Sequence, residues 1–158
     1  MKSFKPLSIK QVKKLITGLN LNQTVSKICG ELIGKGLYRD VYVLKQNTKY
    51  VVKIERDMTT AQFANATEFR HYIDNREWDF LKDWLAPCEL INETGQVMIQ
   101  QRITHGRRKD YPKYIPYVFT DLKLKNFGWI GDKFVCCDYS FFRMVSNKEM
   151  RYAKWWRE

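Results

Sequence analysis

Ile9, Val12, Leu15, Ile16 and Leu19 recur at helical spacing behind Ser8, with Gly18 and Asn20 as stop signals. Residues 8–18 are therefore predicted to form a short amphipathic helix with a lysine-rich polar face. From Ile28 to Glu55 the pattern changes to β-branched and aromatic runs broken by Gly34-Lys35-Gly36 and by Gln46-Asn47-Thr48, which predicts a three-stranded antiparallel meander. Residues 60–85 return to helical spacing, with Phe69, Tyr72 and Ile73 on one stretch and Trp78, Leu81 and Leu85 on a second. The interruption falls near Asp74-Asn75, and Asn65 is an alternative cap for a later start. Pro87 ends the helix, and Leu90-Ile91 and Val97-Met98-Ile99 flank Asn92-Glu93-Thr94-Gly95 as a hairpin.

Residues 103–116 have little apolar periodicity and contain Gly106, Pro112 and Pro116 among Arg107, Arg108, Lys109 and Lys113, the pattern of a basic linker. A short strand is expected at Tyr117–Phe119, then a polar loop and a hairpin around Gly131-Asp132 with its return strand at Lys133–Cys137. Ser146-Asn147-Lys148-Glu149 has capping-box form and is expected to open a final helix carrying Met150, Ala153 and Trp156. No internal repeat or low-complexity tract is present.

Composition narrows the class. The chain has 158 residues, 44% hydrophobic and 28% charged, and lacks any apolar run near the ~20 residues of a membrane span. No signal-peptide core follows the basic start, because Lys10, Lys13 and Lys14 interrupt the apolar positions. Cys29, Cys88, Cys136 and Cys137 have no metal-type spacing, so free thiols, no membrane partner and a cytoplasmic location are expected. A net charge of +11 favours an acidic partner: nucleotide, nucleic acid or acidic protein.

The chemistry-bearing residues fall in order. A glycine hairpin at Gly34 and Gly36 can bring backbone N–H groups close to phosphates, and Lys53, on the third strand, can reach the same anions. Asp121 and Asn126 then stand five apart in a loop, and Asp138 follows Asn126 by twelve residues at the end of a strand. Phosphoryl transfer requires oxygen ligands for Mg²⁺ and a carboxylate to orient the attacking hydroxyl, and this set contains both.

Asp121, Leu122, Lys123 and Asn126 match the D-L-K-x-x-N catalytic loop, and over about residues 28–142 the chain resembles the protein-kinase superfamily. The expected fold is a minimal α+β kinase-like fold: a five-stranded antiparallel first lobe with one main helix, and a severely reduced second lobe. The corresponding ranges are 1–27 for an N-terminal helical extension, 28–102 for the first lobe, 103–116 for the linker and 117–158 for the second lobe. The resemblance implies ATP and Mg²⁺ as cofactors, bound between the lobes. It implies that Gly34 and Gly36 cover the phosphates, Lys53 contacts them, and Glu68 pairs with Lys53, with Glu77 a competing partner. It also implies that Asp121 orients the acceptor, Lys123 neutralises the transferred group, and Asn126 with Asp138 holds the metal.

Asn65-Ala66-Thr67-Glu68, Arg39 and Asp138-Tyr139-Ser140 look most like small kinase-like proteins of bacteria and phages. Arg39 stands where the family has its third loop glycine, and Ser140 replaces the glycine after Asp138-Tyr139. Phe119-Thr120 replaces the His-Arg before the aspartate, which removes the usual partner of an activation-loop phosphate. Nothing after Ser140 resembles the A-P-E element or the helical substrate platform. A Ser/Thr protein kinase is the leading expectation. The alternatives are a pseudokinase-type protein that binds a host factor, and a basic nucleic-acid-binding protein. Between Arg102 and Lys125 seven basic residues face two aspartates, with Tyr111, Tyr114 and Tyr117 interleaved. That stretch predicts a rim for an acidic protein or single-stranded nucleic acid, recruited above all by Arg107, Arg108 and Lys109. A homodimer or a complex with a host protein would complete the reduced lobe.

Overall fold

The structure, a computed structural model, describes residues 5–56, 63–143 and 148–155. It is an α+β fold whose chain divides into two compact units, one made of residues 1–66 and 88–101, the other of residues 67–87 and 102–158. Neither unit is contiguous in sequence, so the seams differ from the ranges expected above. Among the described residues no helix is long and apolar enough to cross a membrane.

The first unit opens with helix α1 (Ile9–Ile16), capped reciprocally: Gln11 N–H donates to the Ser8 hydroxyl at 3.3 Å, and Ser8 N–H donates to the Gln11 side chain at 2.8 Å. Helix α2 (Leu21–Ile28) repeats the device with Asn20 and Gln23, at 2.9 and 3.0 Å. Asn20 had been read only as the end of α1, which hid this second helix. Strands β1 (Cys29–Lys35), β2 (Arg39–Leu44), β3 (Tyr50–Glu55), β4 (Cys88–Ile91) and β5 (Val97–Gln101) form one antiparallel sheet in the order β1-β2-β3-β5-β4. The meander and the later hairpin are therefore as the pattern predicted.

Strand alternation gives the sheet two unlike faces. Leu44, Val52, Ile54, Val97 and Ile99 form a core with Val12 and Ile16 of α1 and Ile28 of α2. The opposite face carries Arg39, Lys53, Glu55 and Gln100, all buried. Asn65, in the first turn of helix α3 (Ala64–Asn75), is tied to this polar row. Its N–H donates to Glu55 Oε1 at 2.7 Å, and its Nδ2 donates to the Lys53 and Gln96 carbonyls, each at 3.1 Å. Its Oδ1 accepts from Arg39 Nη1 at 3.3 Å.

Helix α3 is shorter than expected. Residues 60–62 lie outside the described residues, and beyond Asn75 the chain forms tight turns instead of a second helical stretch. Leu81 N–H bonds to the Trp78 carbonyl and Trp84 N–H to that of Leu81, both at 2.9 Å. These i→i−3 bonds leave Leu81 and Leu85 buried, so their spacing reflects anchoring and not helical continuity.

In the second unit, β7 (Phe127–Ile130) and β8 (Lys133–Cys136) form the predicted hairpin around Gly131, whose φ of 62° suits a residue without Cβ. Strand β6 is Tyr114–Pro116, not Tyr117–Phe119, because Tyr117 N–H makes the last bond, to the Glu149 carbonyl at 2.8 Å, before the chain turns at Pro116–Phe119. The expected terminal helix is also corrected. Met150–Tyr152 is strand β9, paired with β6, and backbone bonding to a partner strand wins over the local helical pattern. Ser146, Asn147 and Trp156 lie outside the described residues. The linker range is only partly open: Thr104 exchanges backbone bonds with Trp129 at 2.8 and 2.9 Å, and Tyr111 is buried against Trp129, Phe134 and Trp155.

Replacing Asn65 by Ala removes both amide donors and the acceptor of Arg39 from a fully buried position. Its expected cost is about 2–4 kcal/mol, read as a lower urea midpoint with unchanged slope. Asn22→Ala, at an exposed position in α2, is expected to change stability by less than about 0.5 kcal/mol.

Candidate functional site

In the first unit the register sets Gly34 opposite Val41, Val41 opposite Lys53, and Lys53 opposite Met98, a single row across four strands. Directly opposed residues share a face, and Val41 stands between Gly34 and Lys53 in this row. A Cβ at Gly34 would come within 3.3 Å of the Val41 Cβ, a tight approach. Lys53 itself is buried.

The hairpin that joins β1 to β2 is closed differently from a phosphate cradle. Gly36 N–H donates to the Arg39 carbonyl at 2.8 Å, so this amide is engaged within the turn. Neither Gly34 nor Gly36 has a positive φ. Arg39 turns inward to Asn65. Asp40 is ion-paired and hydrogen-bonded to Arg56, which holds its carboxyl below the usual range. The pair is largely solvent-screened and contributes little to stability.

The second unit holds the remaining residues. Glu68 is fully buried on α3, whereas the side chain of Glu77 is 90% exposed and beyond the end of the helix, where Arg76 lies 3.7 Å away. Burial distinguishes the two carboxylates, a difference that spacing alone did not reveal.

Asp121 through Asn126 form a closed loop ending in a 3₁₀ turn, Leu124–Asn126. Asn126 is buried; its amide Nδ2 reaches back to the Asp121 carbonyl at 3.4 Å, a long bond, and its N–H donates to the Lys123 carbonyl at 3.0 Å. Lys123 Nζ lies 3.4 Å from the Asp121 carboxylate, and both side chains are more than a third exposed. The loop is fastened from behind by Tyr111, whose hydroxyl lies 3.1 Å from the Leu124 carbonyl and 2.9 Å from that of Phe127. Burial raises the pKa of this phenol, so it stays a donor.

Asp138 is brought to the loop by the β7–β8 hairpin. Cys137 N–H donates to the Asn126 carbonyl at 2.8 Å, continuing the register in which Phe127 opposes Cys136. Asn126 and Asp138 therefore stand one position apart across the base of the hairpin. The next residue is anchored twice: Tyr139 donates its hydroxyl proton to the Ala86 carbonyl at 2.6 Å, and its own carbonyl lies 2.9 Å from His71 Nδ1.

Among the described residues no group of three or more His, Cys, Asp or Glu side chains forms a metal cage. Mg²⁺ does not require one, since it keeps several waters and typically takes one or two carboxylates with substrate phosphates. With the Asn126 amide nitrogen engaged, its hard donor is Oδ1, and Asp138 adds a carboxylate, so the donor chemistry fits Mg²⁺.

No protein-family model matches the chain, and no curated protein matches it. The arrangement of the residues therefore carries the functional argument. Sequence reading missed Tyr111 as the loop's support, having placed it in a rim of stacking aromatics. Arg107 pairs with Asp110 at 3.0 Å, and Arg108 donates to the Trp155 carbonyl at 2.7 Å.

The cysteines beside the loop provide a solution test. All four are free; Cys136 and Cys29 are buried, with the Cys136 thiol pushed well up by burial and that of Cys29 to about 11, whereas Cys137 is half-buried. In folded protein at about pH 8, iodoacetamide followed by mass spectrometry is expected to label Cys137 first, and Cys29 and Cys136 only after unfolding. Early labelling of Cys136 would contradict the packing behind Asp138.

Proposed function

We propose that the chain is an ATP·Mg²⁺-dependent phosphotransferase of protein-kinase type and minimal kinase-like fold, with a Ser/Thr hydroxyl of a protein as acceptor. The observation that carries this reading is the closure of Asp121–Asn126 into a loop whose last residue is bonded to the strand one residue before Asp138. This brings an acceptor-orienting carboxylate, a neighbouring ammonium and two hard oxygen donors into one unit, which is the minimal protein contribution to phosphoryl transfer.

Bound ATP would supply the phosphoryl group, and Mg²⁺ would neutralise its developing charge. The chain's own residues have distinct tasks. Asp121 accepts a hydrogen bond from the acceptor hydroxyl and directs it, and Lys123, 3.4 Å from that carboxylate, adds positive charge beside it. Asn126 Oδ1 and the Asp138 carboxylate would hold the metal. In the first unit Lys53 would offer its ammonium to the α/β-phosphates, with Gly34 and Gly36 proposed to cover them. Glu68 is the partner proposed for Lys53.

One observation favours a binding protein of pseudokinase type as the second reading: Gly36 N–H is spent on Arg39, which weakens the expected phosphate cradle. The nucleic-acid reading loses one stacking aromatic, because Tyr111 is buried. An acidic protein partner for the exposed Arg107, Arg108 and Lys109 remains part of the proposal.

Calorimetry with ATP tests the reading. Wild type is expected to bind ATP more tightly with Mg²⁺ than without, and Asp138→Asn to lose that difference while remaining folded. Saturation at ~100 times Kd should add about 2.7 kcal/mol of stability, visible as a rise in Tm. Equal magnesium dependence in wild type and variant would reject the metal assignment.

Asp121→Ala is expected to leave ATP affinity nearly unchanged and to lower radiolabel transfer to protein acceptors by at least about 100-fold. Retained transfer would reject the role of Asp121. Binding without transfer by wild type would select the pseudokinase reading.

A further inference from the structure

Tyr117 lies at the turn leading from β6 into the Asp121 loop, and two guanidinium groups converge on it. The guanidinium carbon of Arg143 lies 4.5 Å from the ring centroid and that of Arg151 5.6 Å away. Arg143 Nη1 donates to the Tyr117 hydroxyl, and Arg151 Nη2 donates to the Phe119 carbonyl, two residues before Asp121.

The positions of both arginines are fixed by backbone. Arg143 N–H donates to the Val118 carbonyl at 2.8 Å, and Arg151 stands opposite Ile115 in the β6–β9 pair. No carboxylate among the described residues forms an ion pair with either. Arg151 Nε is buried with no hydrogen-bond acceptor among the described residues. Burial and the charge of Arg143 both lower the Arg151 pKa, as expected of like charges held together without a counter-ion.

We infer that Arg143 and Arg151, braced on Tyr117, form a binding site for a phosphomonoester dianion. Two guanidinium groups match a dianion in charge, and their forked donors match its oxygens. A polynucleotide fits less well, because its recognition requires an extended basic groove and open aromatic faces, whereas both cations already sit on this ring. The inference does not depend on nucleotide binding elsewhere in the chain.

The test is calorimetry on the full, nucleotide-free chain at constant ionic strength. The probes are inorganic phosphate, a phosphoserine peptide, its unmodified counterpart and a short single-stranded oligonucleotide without terminal phosphate. Wild type is expected to bind inorganic phosphate and the phosphopeptide but not the unmodified peptide. Tighter binding of the phosphopeptide would assign the monoester to a protein; tighter binding of inorganic phosphate would assign it to the free ion.

Arg143→Gln, at an exposed position, is expected to weaken phosphate binding by about tenfold or more. Arg151→Lys, which keeps the charge and loses the fork, is expected to weaken it too, and Lys14→Gln, at an exposed position of α1, to leave it unchanged. Phosphate affinity unaltered by Arg143→Gln would overturn the site. Equal, Arg143-dependent binding of the oligonucleotide would overturn its assignment to a monoester.

Discussion

Burying charge on one face of a β-sheet is the constraint to which the first unit answers. Arg39, Lys53 and Glu55 all lie inside, where an ionised group costs several kcal/mol unless hydrogen-bonded or paired. Asn65 supplies part of that compensation: its backbone N–H donates to Glu55 and its Oδ1 accepts from Arg39, while its amide protons satisfy the backbone carbonyls of Lys53 and Gln96. Glu55 receives the N–H of a residue in the first turn of α3, where a carboxylate also interacts favourably with the helix dipole. Helix entry and strand register are thereby coupled. A one-residue slip of β3 would turn Glu55 toward the apolar cluster containing Ile54 and Val52, and the helix start would lose its acceptor.

The second unit solves a different problem. Its chemistry sits on a stretch with little regular structure, and such a stretch keeps a geometry only if neighbours fix it. Trp129, Phe134 and Trp155 pack around Tyr111, whose polar end reaches the carbonyls at the close of the Asp121 loop. The apolar part of this tyrosine builds the core and its hydroxyl positions the site, so packing and chemistry cannot be altered independently there.

Periodicity made the sheet readable. Strands β1 to β5 appeared as alternating or β-branched runs separated by turn residues, and their pairing is largely local. The errors have a common physical cause. Residues 76–85 and 150–153 have helix-like spacing, but the first stretch closes tight turns and offers the Trp84 carbonyl to Cys136 N–H, and Met150–Tyr152 pairs with β6. Contacts between residues distant in sequence are invisible to a window of neighbours. At the site, the order of Asp121, Asn126 and Asp138 was legible because loop and hairpin are close in sequence. The inward turn of Arg39 and the convergence of Arg143 and Arg151 on Tyr117 were not, since each depends on side-chain direction or on a partner far along the chain.

The division of the chain into units has a consequence for its synthesis. The backbone passes from one unit to the other three times, after residues 66, 87 and 101. During translation the sheet of the first unit must wait for β4 and β5 while residues 67–87, which belong to the second unit, have already emerged. Until β5 arrives, the edge of β3 is an unpaired strand bearing Val52 and Ile54, the sort of exposed edge that promotes association between nascent chains. Neither unit can be cut out as one continuous segment, so folding of the two is tied to a shared timetable set by the order of the chain.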